Sequence, residues 1–299
     1  MSSVILGEIG LPAHFRPADV LAFHARDKEG VAEQVGGEQI RKGLVWQGHP
    51  ACLTLRFLEG QVHAELQVDG SRSDGDDEAA TLLVRRMLGL AQPIESFEEV
   101  YRGHPEIGRL ISQHPGLRLP VAATPFEALT WAVTGQQISV SAALSLRRKL
   151  IQASGIRHSG GLFCYPDAAA IVRLSDDALR QAGFSRTKVM TLRHLSGQVA
   201  DGALPLDRWL QSSAMADLGE RLLAMPGIGP WTVSYTMLRG YGWLDGSLHG
   251  DVAVRRNLQS FLGKAEKLNE KEVERWLSPF RPWRALVGAH LWAWGRTQA

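Results

Sequence analysis

Cysteine is scarce: Cys52 and Cys164 are the only two in 299 residues, and they lie far apart. That count excludes a four-cysteine zinc or iron–sulfur site and a disulfide framework, and it leads us to expect a reduced, cytoplasmic protein. No run approaches the ~18 uninterrupted apolar residues of a membrane span, so no membrane partner is expected. The amino terminus, MSSVILGEIGLPAHFRP, lacks the basic start and small-residue cleavage site of a secretory signal. No internal repeat or low-complexity tract appears. With 44% hydrophobic and 21% charged residues, the chain is not a disordered one.

Net charge is also nearly absent, +2 overall. Its distribution is uneven. Residues 1–115 carry 11 Lys and Arg against 17 Asp and Glu, a net −6, whereas residues 116–299 carry 22 against 14, a net +8. Neutralising phosphates takes local cations, so only the basic part is suited to a polyanion. The length suggests about two domains.

β-Formers cluster at 44–47, 51–59 and 61–68, with turns at Gly48-His49-Pro50, Glu59-Gly60 and Asp69-Gly70. An acidic loop, SRSDGDDE, leads into a predicted helix over 76–89 with Leu82, Leu83, Met87 and Leu88 on its apolar stripe. The rest reads as helix. A long pattern over 125–153 opens on Thr124 and Pro125, a cap followed by a first-turn proline, and breaks near Gly135. Further helices are expected near 166–173, 175–182, 185–201, 206–211, 214–224, 230–240, 251–262, 270–277 and 283–295. The fold class is therefore mainly α: a small α+β domain with an antiparallel sheet over 1–112, then an all-helical domain over 113–299. The boundary falls in the Gly- and Pro-rich stretch 103–120.

The most specific segment is LLAMPGIGPWTVSYTMLRGYG, residues 222–242. One helix ends at Met225, a tight turn follows, and Pro230 starts the next helix. Gly227 and Gly229 are expected to take positive φ and to bring backbone amides close to an outside partner, and the new helix points free N–H groups at a phosphate. An ordinary interhelical turn has the same look. Asp251 lies 22 residues beyond Gly229, in SLHGDVAVRRNL, where it reads as a helix N-cap.

Taken together, the hairpin and the following Asp resemble the helix-hairpin-helix superfamily of DNA base-excision glycosylases, and within it the alkylation-repair branch. Three more segments carry the likeness: PGLRLPVAATPFEALTWAVTGQQISVSAA (115–143), AGFSRTKVMTLRHLS (182–196) and RPWRALVGAHLWAWG (281–295). The resemblance covers about residues 104–299, and it implies an all-helical helix-hairpin-helix glycosylase core. It also implies excision of alkylated purines, of the 3-methyladenine and 7-methylguanine type, from double-stranded DNA by a monomer. An alkylated ring carries positive charge and leaves readily, so the barrier lies in the cation that grows on the sugar. One fixed carboxylate stabilises it and orients water, a role the resemblance gives to Asp251. No second carboxylate is needed, in contrast to ordinary glycosidases.

The base must leave the stack, and an aromatic pocket suits an electron-poor base. Trp231 and Tyr235, i and i+4 on one helix face, together with Trp292, are the expected walls, although a tryptophan at any of these positions also serves core packing. Phe184 is a weaker candidate that suits packing better. The resemblance places the wedge that fills the flipped base's gap at Gln137, with Ile138 beside it. Capping of the broken helix by Gln136 and Gln137 is the plainer reading. The resemblance further implies a monovalent cation, Na+ or K+, on the backbone carbonyls of Leu223, Met225 and Ile228, and no cofactor for catalysis. Strand-cutting relatives carry a lysine after the hairpin, where this chain has Pro230-Trp231, and Lys188 belongs to another helix; the enzyme is expected to be monofunctional. Arg255 and Arg256 contact phosphate or form a solvated face. Three alternatives stay open: a glycosylase for another damaged base, a non-catalytic helix-hairpin-helix DNA-binding or scaffold protein, and an unrelated helical protein whose hairpin is only structural.

Overall fold

The computed structural model describes residues 3–71, 73–211 and 215–297. The front part is a five-stranded sheet with strands β1 (Ser3–Gly10), β2 (Glu33–Gly36), β3 (Gln39–Trp46), β4 (His49–Leu58) and β5 (Gln61–Val68). Their order is β1-β5-β4-β3-β2 and each neighbouring pair is antiparallel. Along β4 the side chains alternate: Leu53, Leu55 and Phe57 are buried, while Thr54, Arg56 and Leu58 are not. One face of the sheet thus supplies a core shared with α2 (Asp76–Met87).

Three expectations change here. The hairpin between β3 and β4 turns at Gln47 and Gly48, both with positive φ (47° and 82°), a two-residue loop whose twist matches the strands; His49 and Pro50 already belong to β4. The apolar amino-terminal run forms β1, paired along β5 from Ser3 with Val68 to Gly10 with Gln61. In α2 the buried stripe is Ala80, Leu83, Val84 and Met87, and Leu82 points outward at 54% exposure.

The remaining helices are α1 (Pro17–His24), α3 (Ile94–Tyr101), α4 (Ile107–Gln113), α5 (Pro125–Gly135), α6 (Val140–Ser154), α7 (Ala168–Arg173), α8 (Asp176–Gln181), α9 (Arg186–Ala200), α10 (Met215–Leu223), α11 (Pro230–Tyr241), α12 (Val252–Phe261), α13 (Glu270–Leu277) and α14 (Arg284–Thr297). Short polar side chains open many of them: Thr124, Ser139, Asp167, Ser175, Ser185, Asp251 and Asn269 each accept a backbone N–H of the first turn. Residues 206–211 form a 3-10 helix, and Arg157 bridges Phe163 as an isolated β pair. The Gly- and Pro-rich stretch 103–120 holds α4. Its Ile107, Leu110 and Ile111, with Leu117 and Leu119, join the core built by α12, α13 and α14. Among the described residues no helix is long and apolar enough to cross a membrane.

Two of the contacts between the sheet part and the helical part are especially close. Gly43 of β3 meets the backbone at Phe163 so closely that a Cβ there would lie 2.0 Å from the Phe163 carbonyl oxygen. Beside it lies a buried ionic network. Lys42 donates to Glu33 (2.6 Å) and Glu127 (2.8 Å), and Arg147 pairs with Glu127 (2.8 Å) and Glu33 (3.3 Å). Burial alone would raise both carboxyls, but Arg147 and Lys42 outweigh it and hold both below the usual carboxylate range. His24, 3.0 Å from Glu33, is pushed down by burial.

Candidate active site

Asp251 caps α12, with its Oδ1 accepting the Val254 N–H at 2.9 Å. Two indoles also donate to the same carboxylate: Trp292 Nε1 to Oδ1 and Trp231 Nε1 to Oδ2, each at 3.1 Å. The three donors come from α12, α14 and α11, so packing among those helices fixes the carboxylate. That packing is close. A Cβ at Gly295 of α14 would meet the Asn257 amide at 2.1 Å, and Asn257 of α12 donates to the Leu291 carbonyl at 3.0 Å. On the other side Gly240 lets α11 settle on Pro125 and Ala128 of α5. Asp251 itself is half-buried, reachable from outside.

The aromatic residues expected as walls come together. The Trp231 and Tyr235 rings lie 5.2 Å apart at 31°, one turn from each other on α11. Trp292 faces them across Asp251 through its hydrogen bond. Behind Trp292 stands Arg239, its guanidinium 5.6 Å from that ring and 4.8 Å from the ring of Phe23 on α1. Burial pulls Arg239 down to about 10, so it stays cationic at neutral pH, and it donates to the Pro120 carbonyl at 2.7 Å. Arg26 also lies over the Phe23 ring, at 3.9 Å, and is 5.3 Å from the Trp131 ring. Phe23, Arg26, Trp131 and Arg239 were not singled out from sequence. Four scattered aromatic and cationic positions leave no spacing signal, and Phe23 and Arg26 belong to the acidic front part. Phe184, by contrast, is 1% exposed and is core.

The hairpin is as expected in outline and different in two details: the first helix ends at Leu223, two residues before Met225, and one glycine differs in conformation. Only Gly227 takes positive φ, at 82°. Gly229 is extended (φ −106°, ψ 173°) and caps α11. A Cβ at Gly227 would lie 2.2 Å from Thr191 Oγ1, whereas one at Gly229 would meet nothing within 4 Å. Gly227 is thus required by the fold, and Gly229 leaves the outer side open for close approach. α10 ends at Leu223, so its carbonyl lacks an intrahelical donor; the Met225 carbonyl accepts only a long bond, 3.2 Å, from Ile228 N. Such oxygens are hard donors that fit Na+ or K+.

Gln137 is exposed with φ 57°, and Ile138 beside it is 38% exposed. Gln136, which caps α5, turns its amide to Gly227 O and Thr232 Oγ1, both at 2.9 Å. Lys188 lies on α9 and donates to Thr134 O at 2.7 Å and Gln136 O at 3.0 Å. It is committed to the end of α5. Arg255 pairs with Glu270 at 3.3 Å, while Arg256 is exposed and near its neighbour Asn257. Since Arg147 and Arg118 are buried, the positive charge of the back part is only partly available to an outside polyanion.

Residues 130–282 match the HhH-GPD superfamily base excision DNA repair proteins, and residues 12–124 match the AlkA N-terminal domain. Over 188 residues the chain is 30% identical to DNA-3-methyladenine glycosylase 2 of Escherichia coli strain K12, covering 62% of this chain and 63% of that one. It is 28% identical over 273 residues to a probable bifunctional transcriptional activator/DNA repair enzyme AlkA of Mycobacterium tuberculosis, covering 86% of this chain and 51% of that one. The chain therefore spans less than two thirds of the length of these relatives. Its fold is similar to that of 3-methyladenine DNA-glycosylase from Archaeoglobus fulgidus, with TM-score 0.80 at 20% identity over 97% of this chain and 98% of that one.

Proposed function

The chain belongs to the HhH-GPD superfamily of base excision DNA repair proteins, and on that premise we propose that it is a monofunctional DNA glycosylase. Its substrates are alkylated purines in double-stranded DNA, and it works as a monomer in the cytoplasm. The observation that carries the reading is the carboxylate of Asp251, held by the indole N–H groups of Trp231 and Trp292 next to the paired Trp231 and Tyr235 rings.

A carboxylate has about four acceptor sites. Three are taken by Val254 N, Trp231 and Trp292, which leaves Oδ2 one direction for the substrate. There the negative charge stabilises the cation that grows on the sugar as the alkylated base departs, then orients the water that completes hydrolysis. Because the donors are held by packing, the carboxylate needs no reorganisation when the charge develops. Trp231, Tyr235 and Trp292 stack on the flipped, electron-poor base. Gln137, with Ile138 beside it, fills the gap in the duplex. Gly227 and Gly229 present the hairpin backbone to phosphate, and the carbonyls of Leu223, Met225 and Ile228 would hold a monovalent cation that bridges to it. No amine adjoins Asp251 in sequence or structure among the described residues, which supports hydrolysis without strand cleavage.

The test is release of free methylated purine from methylated duplex DNA. Wild type should release it, and Asp251→Asn should be slower by about a hundredfold to a thousandfold. The variant keeps the helix cap through its amide oxygen, so it should still bind DNA. Equal rates would remove Asp251 from the mechanism. DNA binding without release by either protein would favour a non-catalytic DNA-binding role, and release of a different lesion a changed substrate. A borohydride-trapped covalent adduct would contradict the monofunctional assignment.

A further inference from the structure

We propose that Lys188 and Gln136 are positioning residues that lock the wedge-bearing loop to the hairpin, so that Gln137 and the phosphate-gripping turn meet DNA as one rigid unit. The inference rests on reading the chain as a base-flipping glycosylase with its wedge at Gln137. Between α5 and α6 the chain has four residues, 136–139, and Gln137 holds a left-handed conformation that non-glycine residues rarely adopt. Such a conformation persists only where neighbours over-determine it. They do so here from two sides. The Lys188 ammonium closes the carboxyl end of α5 by bonding Thr134 O and Gln136 O, a favourable place for a cation at a helix end. The Gln136 amide crosses to the hairpin, reaching Gly227 O and the buried Thr232 hydroxyl.

α9 backs both loops. One turn along it from Lys188, Thr191 fills the space behind Gly227 where a Cβ would collide. The wedge loop and the hairpin therefore share a brace behind them and a strut between them. Neither Lys188 nor Gln136 bonds Asp251 or its indole donors. Their effect should fall on extrusion of the base and not on the chemistry that follows.

The experiment places 2-aminopurine next to a methylated purine in a duplex and reads the fluorescence rise on unstacking, in an Asp251→Asn background whose slowed excision leaves binding and unstacking to be read first. Adding Lys188→Met or Gln136→Glu should abolish most of the rise. Lys188→Arg, which keeps two donors and the charge, should restore it. With Asp251 intact, Lys188→Met and Gln136→Glu should slow release from duplex by about tenfold to a hundredfold, the scale of an ångström-sized misplacement. The loss should shrink when the lesion lies in a mismatch, where less unstacking is required. Gln136→Glu is nearly isosteric and half-exposed, so it separates positioning from folding. An undiminished fluorescence rise, or an equal loss on paired and mismatched lesions, would overturn the proposal. Absence of release by wild type would instead overturn the glycosylase reading beneath it.

Discussion

Replacing Gly227 by alanine strains the hairpin in two separable ways. The residue sits at φ 82°, and the new Cβ would lie 2.2 Å from Thr191 Oγ1 and 3.2 Å from its Cγ2 and Cβ. The left-handed backbone costs a non-glycine residue about 1–2 kcal/mol, and forcing an atom into packed surroundings about 1–3 kcal/mol more. Gly227→Ala should therefore destabilise by about 2–5 kcal/mol. For 299 residues the unfolding entropy is about 0.6 kcal/mol per degree, so Tm should fall by about 3–8 °C. Thr191→Ala removes the two outer atoms of the collision and leaves φ as it is. In a double-mutant cycle the pair should recover about 1–3 kcal/mol, the packing part alone. Gly229→Ala is the control. Its backbone is extended and its Cβ direction open, so its stability should stay within about 0.5 kcal/mol of wild type, yet duplex binding should weaken because the outer face is filled. Thermal and urea unfolding give the stabilities, and fluorescence anisotropy on an abasic duplex gives the binding. Strict additivity in the cycle, or a Gly227→Ala loss below about 1 kcal/mol, would refute the assigned causes.

Two other outcomes follow from buried charge. Lys42→Met leaves Glu33 and Glu127 sharing Arg147, with His24 still on Glu33, which should cost about 3–5 kcal/mol in urea unfolding; adding Glu33→Gln should return part of it, and a loss under about 1 kcal/mol would contradict a closed network. His290 is held by burial at about 3 against an ordinary 6.5. Below pH 6.5 the unfolded chain takes up a proton that the folded chain refuses until pH 3, so stability falls as pH drops through that window. The slope approaches about 1.4 kcal/mol per pH unit, or roughly 2 kcal/mol between pH 6.5 and 5. His24 and His114 are lowered in the same direction and add to it. His290→Leu should flatten the curve measured by urea unfolding at the two pH values, and an unchanged slope would show that the ring takes up a proton in the folded state.

Helix starts were legible because capping is local. Thr124, Ser175 and Asp251 each announce a helix within four residues, and the break at Gly135 is visible for the same reason. The hairpin was legible through its glycines and prolines, although φ at Gly229 was not, since an N-cap glycine and a left-handed one look alike in sequence. Partners at long range were hidden. Nothing in the sequence says that Trp231 and Trp292, 61 positions apart, aim both N–H groups at one carboxylate. The segment 103–120 reads as a linker because of its glycines and prolines, yet Gly108 is there so that α4 can pass 2.4 Å, at a notional Cβ, from the Arg102 carbonyl. Leu82 satisfies helical periodicity and is nevertheless exposed, because the sheet covers only the face of Ala80, Leu83 and Val84.

The ionic network beneath β3 also governs how far this molecule can be taken apart. Glu127 and Arg147 belong to the helices, Glu33 and Lys42 to the sheet. A chimera that keeps the helical part and swaps in a foreign front half inherits one acid and one base shaped for partners it no longer has. Transplantation of the helical part would therefore succeed with Lys42 and Glu33 carried along, or with Glu127 and Arg147 replaced together by apolar side chains of similar volume, and would fail when only one member of the set is moved.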